Sequence, residues 1–73
     1  MRYAIVIERA AGNYSAFVPD LPGCVATGQT VEEVTREVSE AVSLHVADMR
    51  SRGLPVPLPS TLADYVETVA PVP

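Results

Sequence analysis

Few side chains in this 73-residue sequence could take part in catalysis. The sequence has one cysteine, Cys24, and one histidine, His45. A cysteine nucleophile needs a base nearby, and His45 is the one imidazole that could serve. We interpret Cys24 as a small buried apolar residue at the start of a strand. His45 lies on or beside the apolar face of a predicted helix, and we interpret it as a packed histidine with one hydrogen bond; the alternative is a group that gives pH-sensitive association at an interface. No catalytic residue is predicted.

The carboxylates do not follow a pattern typical of a metal site. A two-metal nuclease needs several carboxylates that converge from strand interiors. The first predicted strand contains none before Glu8, and several of the nine acids lie on the predicted helix as solvated or capping groups. A single cysteine also excludes an internal disulfide and a cysteine-based zinc site. We therefore predict neither a metal nor a cofactor.

The segment "PDLPGC", residues 19–24, has the composition of a loop that could bind phosphate or hold a catalytic group. It contains one glycine and no lysine, and it lacks the GxxxxGK[ST] spacing of a phosphate-binding loop. Pro19, Pro22 and Gly23 instead set the backbone of a turn, and Asp20 can cap a turn with its own side chain. The segment is predicted to turn the chain.

The charge balance favours a basic partner over a nucleic acid. The formal net charge is −4, and the five basic residues are all arginines scattered along the chain. Nucleic-acid binding usually requires a cluster of basic residues, whereas an acidic surface speeds encounter with a basic protein. The opening residues are too short an apolar run for a signal or membrane segment, so a cytoplasmic location is expected.

The elements follow the order β-β-β-α-β, which is an α+β fold with a small antiparallel sheet and one helix on one face. Strands are predicted at residues 2–8, 14–18 and 24–28, with a turn at 11–13 and a last strand at 63–69. The chain is expected to form a single domain, residues 1–73. A proline-rich strap covers residues 53–61 and a short tail covers 71–73.

The helix has clear start and stop signals. Thr30 is a good N-cap, and Glu33 completes a capping box by reaching back to the cap amide. The helix is predicted to run to about Arg52, with Gly53 as the residue that ends it. Its apolar residues recur at spacings of three and four and mark one face: Val31, Val34, Val38, Ala41, Val42, His45 and Met49.

One helix cannot cover both faces of the sheet. The first strand is apolar on both sides, with Tyr3, Ile5 and Ile7 on one and Ala4 and Val6 on the other. The bulkier set is expected to pack under the helix. The smaller set then faces outward, and a second protein chain is the simplest cover for it. We therefore expect at least a dimer.

The runs "YSAFVPDLPGCVATGQTVEEV" and "AVSLHVADMRSRGLPVPLPS" resemble the HicB family of antitoxins, from Tyr3 to about Ser60. The resemblance depends on the combination of the corner motif, the glycine before the helix cap and the start of the strap. The structural motif residues are Tyr14, Pro19, Pro22, Gly23, Gly28, Thr30, Glu33, Gly53 and Pro55.

The resemblance implies a partial ribonuclease-H-like fold without nuclease residues, and a domain that forms dimers or higher oligomers. Its implied partner is HicA, a small basic ribonuclease toxin. Many members carry a C-terminal DNA-binding domain, and this sequence shows none, so operator binding is not expected. The residues expected at a partner or oligomer interface are Ala4, Val6, Phe17, Asp20, Leu21 and His45.

Two other functions remain open at this stage. The domain could be an orphan oligomeric scaffold or a small-ligand-binding module with no toxin partner. The domain could also bind RNA directly, but the charge distribution argues against this function.

Overall fold

The computed structural model describes residues 1–71 and shows a three-stranded sheet followed by one helix. The sheet order is β1-β2-β3 with both pairs antiparallel. This confirms an α+β fold with a small sheet and a single helix. The elements are β1 Val6–Ala10, β2 Asn13–Phe17, β3 Val25–Gly28 and α1 Val31–Ser51.

β1 begins four residues later than the sequence predicts. Its ladder with β2 runs from Val6 opposite Phe17 to Ala10 opposite Asn13. Residues 2–5 precede the ladder because β2 leaves the sheet after Phe17 and enters the corner. The two-residue turn is Ala11-Gly12, and Gly12 has φ of 83°, a value that glycine adopts at little cost.

The core lies between the sheet and α1. Val34 and Val38 of the helix are fully buried against the inward side chain Ala16 of β2. Ile7 of β1 pairs with Ala16 and packs against the same cluster, together with Tyr3 and Ile5. The prediction that the bulkier side of the first strand faces the helix is therefore confirmed.

Thr30 and Gly53 cap the two ends of α1 as the sequence predicts, but within residues 1–71 the Glu33 carboxylate does not bond the Thr30 amide, so the capping box is only half formed. Thr30 accepts a hydrogen bond from the Glu33 amide at 3.0 Å. At the other end Gly53 has φ of 70°. Its amide donates to Arg50 and the Leu54 amide donates to Met49, at 3.1 and 2.9 Å. These two bonds form the Schellman motif that satisfies the last carbonyls of a helix.

The strap, residues 53–61, runs back along the domain without helix or strand structure. It is attached at two points. The Tyr3 hydroxyl donates to the Pro57 carbonyl, and Asp20 holds Ser60 and Thr61. The strap therefore returns the chain to the sheet end at which β1 begins.

The predicted last strand at residues 63–69 is not formed, so this part of the prediction was wrong. Residues 62–70, which we call the arm, have no strand pairing. An extended segment becomes a strand only when its amide and carbonyl groups meet a neighbouring strand, and the arm meets none. Of the predicted tail at 71–73, the last two residues lie outside the described part.

Candidate functional site

The corner between β2 and β3 consists of two successive turns. The Leu21 amide donates to the Val18 carbonyl, and the Cys24 amide donates to the Leu21 carbonyl, each at 3.1 Å. The second turn has Pro22 followed by Gly23, whose φ is 84°, as a type II turn requires. The Val18 amide then donates to Cys24 and closes the corner. The sequence prediction of a turn is confirmed.

Asp20 ties the corner to the strap. Its carboxylate accepts hydrogen bonds from the Ser60 amide and hydroxyl, both at 2.9 Å. It also accepts from the Thr61 amide at 3.0 Å and the Thr61 hydroxyl at 2.8 Å. These bonds, first that from the Thr61 amide, lower the pKa of Asp20 from 3.8 to about 2 because they stabilise the charged form. Asp20 is thus a long-range clamp rather than the cap of its own turn.

The residues with the most reactive side chains are not arranged for catalysis. Cys24 is buried, and burial raises the pKa of its thiol, which disfavours the nucleophilic thiolate. His45 is half-buried on α1. Among residues 1–71, no group of three or more histidine, cysteine or acidic side chains is placed to hold a metal ion.

The sheet face opposite α1 is apolar at one end. Val6 and Val25 both lie opposite Phe17 in neighbouring strands. Phe17 is 38% exposed and Val25 is 64% exposed. The other end of this outer face carries the polar side chains Ser15 and Thr27, which also lie opposite each other. Phe17 and Val25 therefore form an exposed apolar patch on half of the outer face, whereas Ala4 and Val6, which the sequence predicted to be uncovered, are half-buried.

The apolar strip continues around the β3 edge of the sheet. A cleft between β3 and α1 is lined by Val25, Leu44, Glu37 and Glu40. Leu44 is 73% exposed, and both glutamates are exposed. An exposed apolar strip with a rim of one charge is typical of a protein-binding surface. We call these residues the β3-edge surface: Phe17, Val25, Glu37, Glu40 and Leu44.

The predicted interface residues do not form one cluster. Val6 and Phe17 share the outer face, and Ala4 belongs to the same side of the chain by strand alternation. His45 lies on the helix, in the opposite layer. Leu21 is 1% exposed because the two turns of the corner direct its side chain into the core. It is therefore a core residue rather than a surface residue.

Val25 is an outer-face residue that was not predicted as such. The signal was available, since inward Cys24 and Ala26 place Val25 outward by alternation. Leu44 was not predicted at an interface either, since it lies outside the apolar face of the helix that the sequence indicates. No local sequence pattern predicted the hydrogen bonds that Asp20 accepts from Ser60 and Thr61, because these residues are 40 and 41 positions away.

The sequence of residues 3–70 matches the family model described as a HicB_like antitoxin of bacterial toxin-antitoxin systems. The chain belongs to the HicB-like antitoxin family. The matched region includes the corner, the helix, the strap and the whole arm. Family membership points to a non-enzymatic role. None of the described helical structure in this HicB-like domain is long and apolar enough to cross a membrane.

Three curated relatives are similar to this HicB-like domain. An uncharacterized 14.9 kDa protein from Haemophilus phage HP1 is 33% identical over 66 residues, which cover 90% of this chain and 50% of the relative. A UPF0150 protein from Helicobacter pylori is 44% identical over 46 residues, 63% of this chain and 64% of the relative. A UPF0150 protein from Synechocystis is 36% identical over 56 residues, covering 75% and 71%. The chain thus spans half to two thirds of the length of the first two relatives.

Proposed function

We propose that this HicB-like domain is a non-enzymatic antitoxin that self-associates and masks a small basic ribonuclease of the HicA type. The observation that carries the proposal is the β3-edge surface. It combines exposed apolar side chains, Val25 and Leu44, with the exposed carboxylates Glu37 and Glu40. Membership of an antitoxin family supplies the class of partner.

The chemistry of this surface fits a basic protein. When a partner binds, the apolar strip is removed from contact with water. This burial of apolar surface is the main favourable contribution to association. The two carboxylates attract arginine and lysine side chains and orient the partner as it approaches. Their attraction is exposed to solvent and is therefore weakened by salt. A toxin held here would be inhibited by steric and electrostatic masking rather than by a chemical step.

The first experiment tests whether a toxin partner exists. The domain is co-expressed with the small basic reading frame next to its gene. We expect the domain to rescue growth and the two proteins to purify together. If neither rescue nor a complex is found, the antitoxin proposal fails for this chain.

The second experiment tests where the toxin binds. The double variant Glu37→Lys/Glu40→Lys reverses the charge of the β3-edge surface, and we expect its dissociation constant for the toxin to rise at least ~10-fold. Glu32→Lys reverses one charge in the first turn of α1 and is the control with which the single variants Glu37→Lys and Glu40→Lys are also compared. Titration calorimetry at two salt concentrations measures both. Equal affinity for the double variant and the control would exclude this surface as the binding site.

The alternative is an oligomeric scaffold or small-ligand module without a toxin. The hollow on the outer face lined by Phe17 and Val25 is the surface that favours it. Recovery of a bound metabolite from the purified domain, together with failure of the co-expression experiment, would support this alternative.

A further inference from the structure

The arm exposes an unusual amount of apolar surface. Leu62, Tyr65, Val66 and Val69 are each between 90% and 96% exposed. The Cα radius of gyration is 14.8 Å and the longest dimension is 54 Å, whereas a compact chain of this length has a radius of about 11 Å. The arm therefore projects from the body, and water contacts side chains that are normally buried.

The chain leaves the body at a fixed point and in a fixed direction. Asp20 holds both amides and both hydroxyls of Ser60 and Thr61, immediately before the arm begins. Beyond this attachment the apolar side chains of the arm are almost fully exposed, so the arm does not fold back onto the sheet of its own chain. This arrangement directs the arm away from the molecule that carries it.

The start of the arm lies beside an unpaired strand edge. Thr61, Leu62 and Ala63 line a cleft together with residues 2–4, which continue β1 at its N-terminal end. β1 is an edge strand of the described sheet, with β2 on one side only. A free strand edge presents unpaired amide and carbonyl groups and is a template for another strand.

The composition of the arm suits this edge. Tyr65, Val66, Thr68 and Val69 are β-branched or aromatic, the residue types that favour strands. The charged residues of the arm are both acidic, Asp64 and Glu67, and the segment that contains β1 carries two arginines, Arg2 and Arg9, and one acid, Glu8. Strand pairing would therefore bring opposite charges together.

We propose that the arm of each chain pairs as an additional strand with β1 of a second copy, so that two chains exchange arms about a twofold axis. This inference rests on the self-association in the proposed function and names its surface. Standard interfaces bury roughly 30 Å² per residue, so nine arm residues and about nine receiving residues from each copy would bury roughly 1,100 Å² in total. That area exceeds the roughly 1,000 Å² that a specific protein interface needs.

The test compares full-length variants by sedimentation velocity. Val66→Pro removes an amide donor from the middle of the arm and prevents regular strand pairing. We expect its dimer dissociation constant to rise at least ~10-fold. Leu58→Pro is the matched control, because Leu58 is an exposed apolar residue that already lies between two prolines of the strap. It should associate like the wild type.

A second measurement reports on the arm itself. The sequence contains no tryptophan, so Tyr65→Trp introduces a single indole whose emission shifts to shorter wavelength when water is excluded. We expect that shift to grow with protein concentration and to follow the dimer fraction. This result, with the loss of association in Val66→Pro, would support arm exchange.

Three results would overturn the proposal, and they separate it from self-association in general. Normal association of Val66→Pro with a solvated indole would leave self-association in place and assign it to another surface. A monomer whose indole is shielded at every concentration would show that the arm closes on its own β1. A monomer with a solvated indole would reject both exchange and self-association, while toxin binding is decided separately.

Discussion

Asp20 shows how one side chain connects segments that are distant in sequence. Its carboxylate lies in the corner and receives four hydrogen bonds from Ser60 and Thr61. Two of the donors are backbone amides, so the ionised carboxylate holds the position of the main chain as well as two side chains. The end of the strap and the direction of the arm both depend on this residue.

The charge of Asp20 makes this attachment dependent on pH. The pKa is lowered from 3.8 to about 2 in the folded protein, so the contribution to stability is present above pH ~4 and is lost as the pH falls towards 2. We expect the wild type to lose stability over this interval and Asp20→Asn to lose less. Urea unfolding at pH 5, 3 and 2 measures the difference.

Glu40→Gln is the control for this comparison, because Glu40 is exposed on α1 and lies outside both the corner and the arm. It should follow the wild type at each pH. If Asp20→Asn and the wild type show the same pH dependence, the carboxylate does not stabilise the folded state. Faster hydrogen exchange at the Ser60 and Thr61 amides in Asp20→Asn would locate the change.

At the scale of the elements, the end of β3 and the start of α1 are joined by a very close contact. A Cβ atom on Gly28 would lie 2.7 Å from the Val34 nitrogen and 3.0 Å from its Cα. Both atoms belong to the helix backbone, which cannot move away as a side chain could. Gly28 is therefore required by the packing of strand against helix, although the sequence alone suggested only a residue before the helix cap.

We expect Gly28→Ala to destabilise the domain by about 1–3 kcal/mol, because the added methyl group overpacks a backbone contact. Chemical denaturation followed by circular dichroism measures the free energy of unfolding. Thr27→Ala is the neighbouring control on the exposed side of β3, and its effect should stay within about 0.5 kcal/mol. A Gly28→Ala variant as stable as this control would contradict the close packing of β3 against α1.

The whole molecule presents different chemistry at the two edges of its sheet. The β3 edge carries the apolar and acidic surface that we assign to the toxin. The β1 edge lies beside the start of the arm and is assigned to a second copy. Because the two surfaces lie on opposite sides of β2, a dimer formed through exchanged arms leaves both toxin surfaces accessible.

Self-association predicts a stability that depends on concentration. Mass action stabilises an associated native state by about 2.7 kcal/mol per dimer for each 100-fold rise in concentration. For two chains of this size we expect Tm to rise by roughly 9 °C between 5 and 500 μM. Differential scanning calorimetry at both concentrations measures it. A Tm that is the same at both would indicate that folding is independent of association.

The sequence by itself was sufficient for the features that depend on neighbouring residues. The turns around Gly12 and Gly23, the cap at Thr30 and the helix end at Gly53 follow from backbone preferences and hydrogen bonds that span only a few positions. The alternation of Ile7 and Val6 also assigned the two sides of β1, because strand geometry alone places successive side chains on opposite faces.

Only the tertiary structure decided the features that join distant segments. In the folded chain Leu21 is buried in the core, and Asp20 accepts hydrogen bonds from the strap. Val25 lies beside Leu44, and the arm has no strand to pair with. Such contacts depend on where the chain arrives after a 21-residue helix and a proline-rich strap. Local conformational preferences do not predict such contacts. Residues 40 positions apart interact only after the fold has closed the long loop between them.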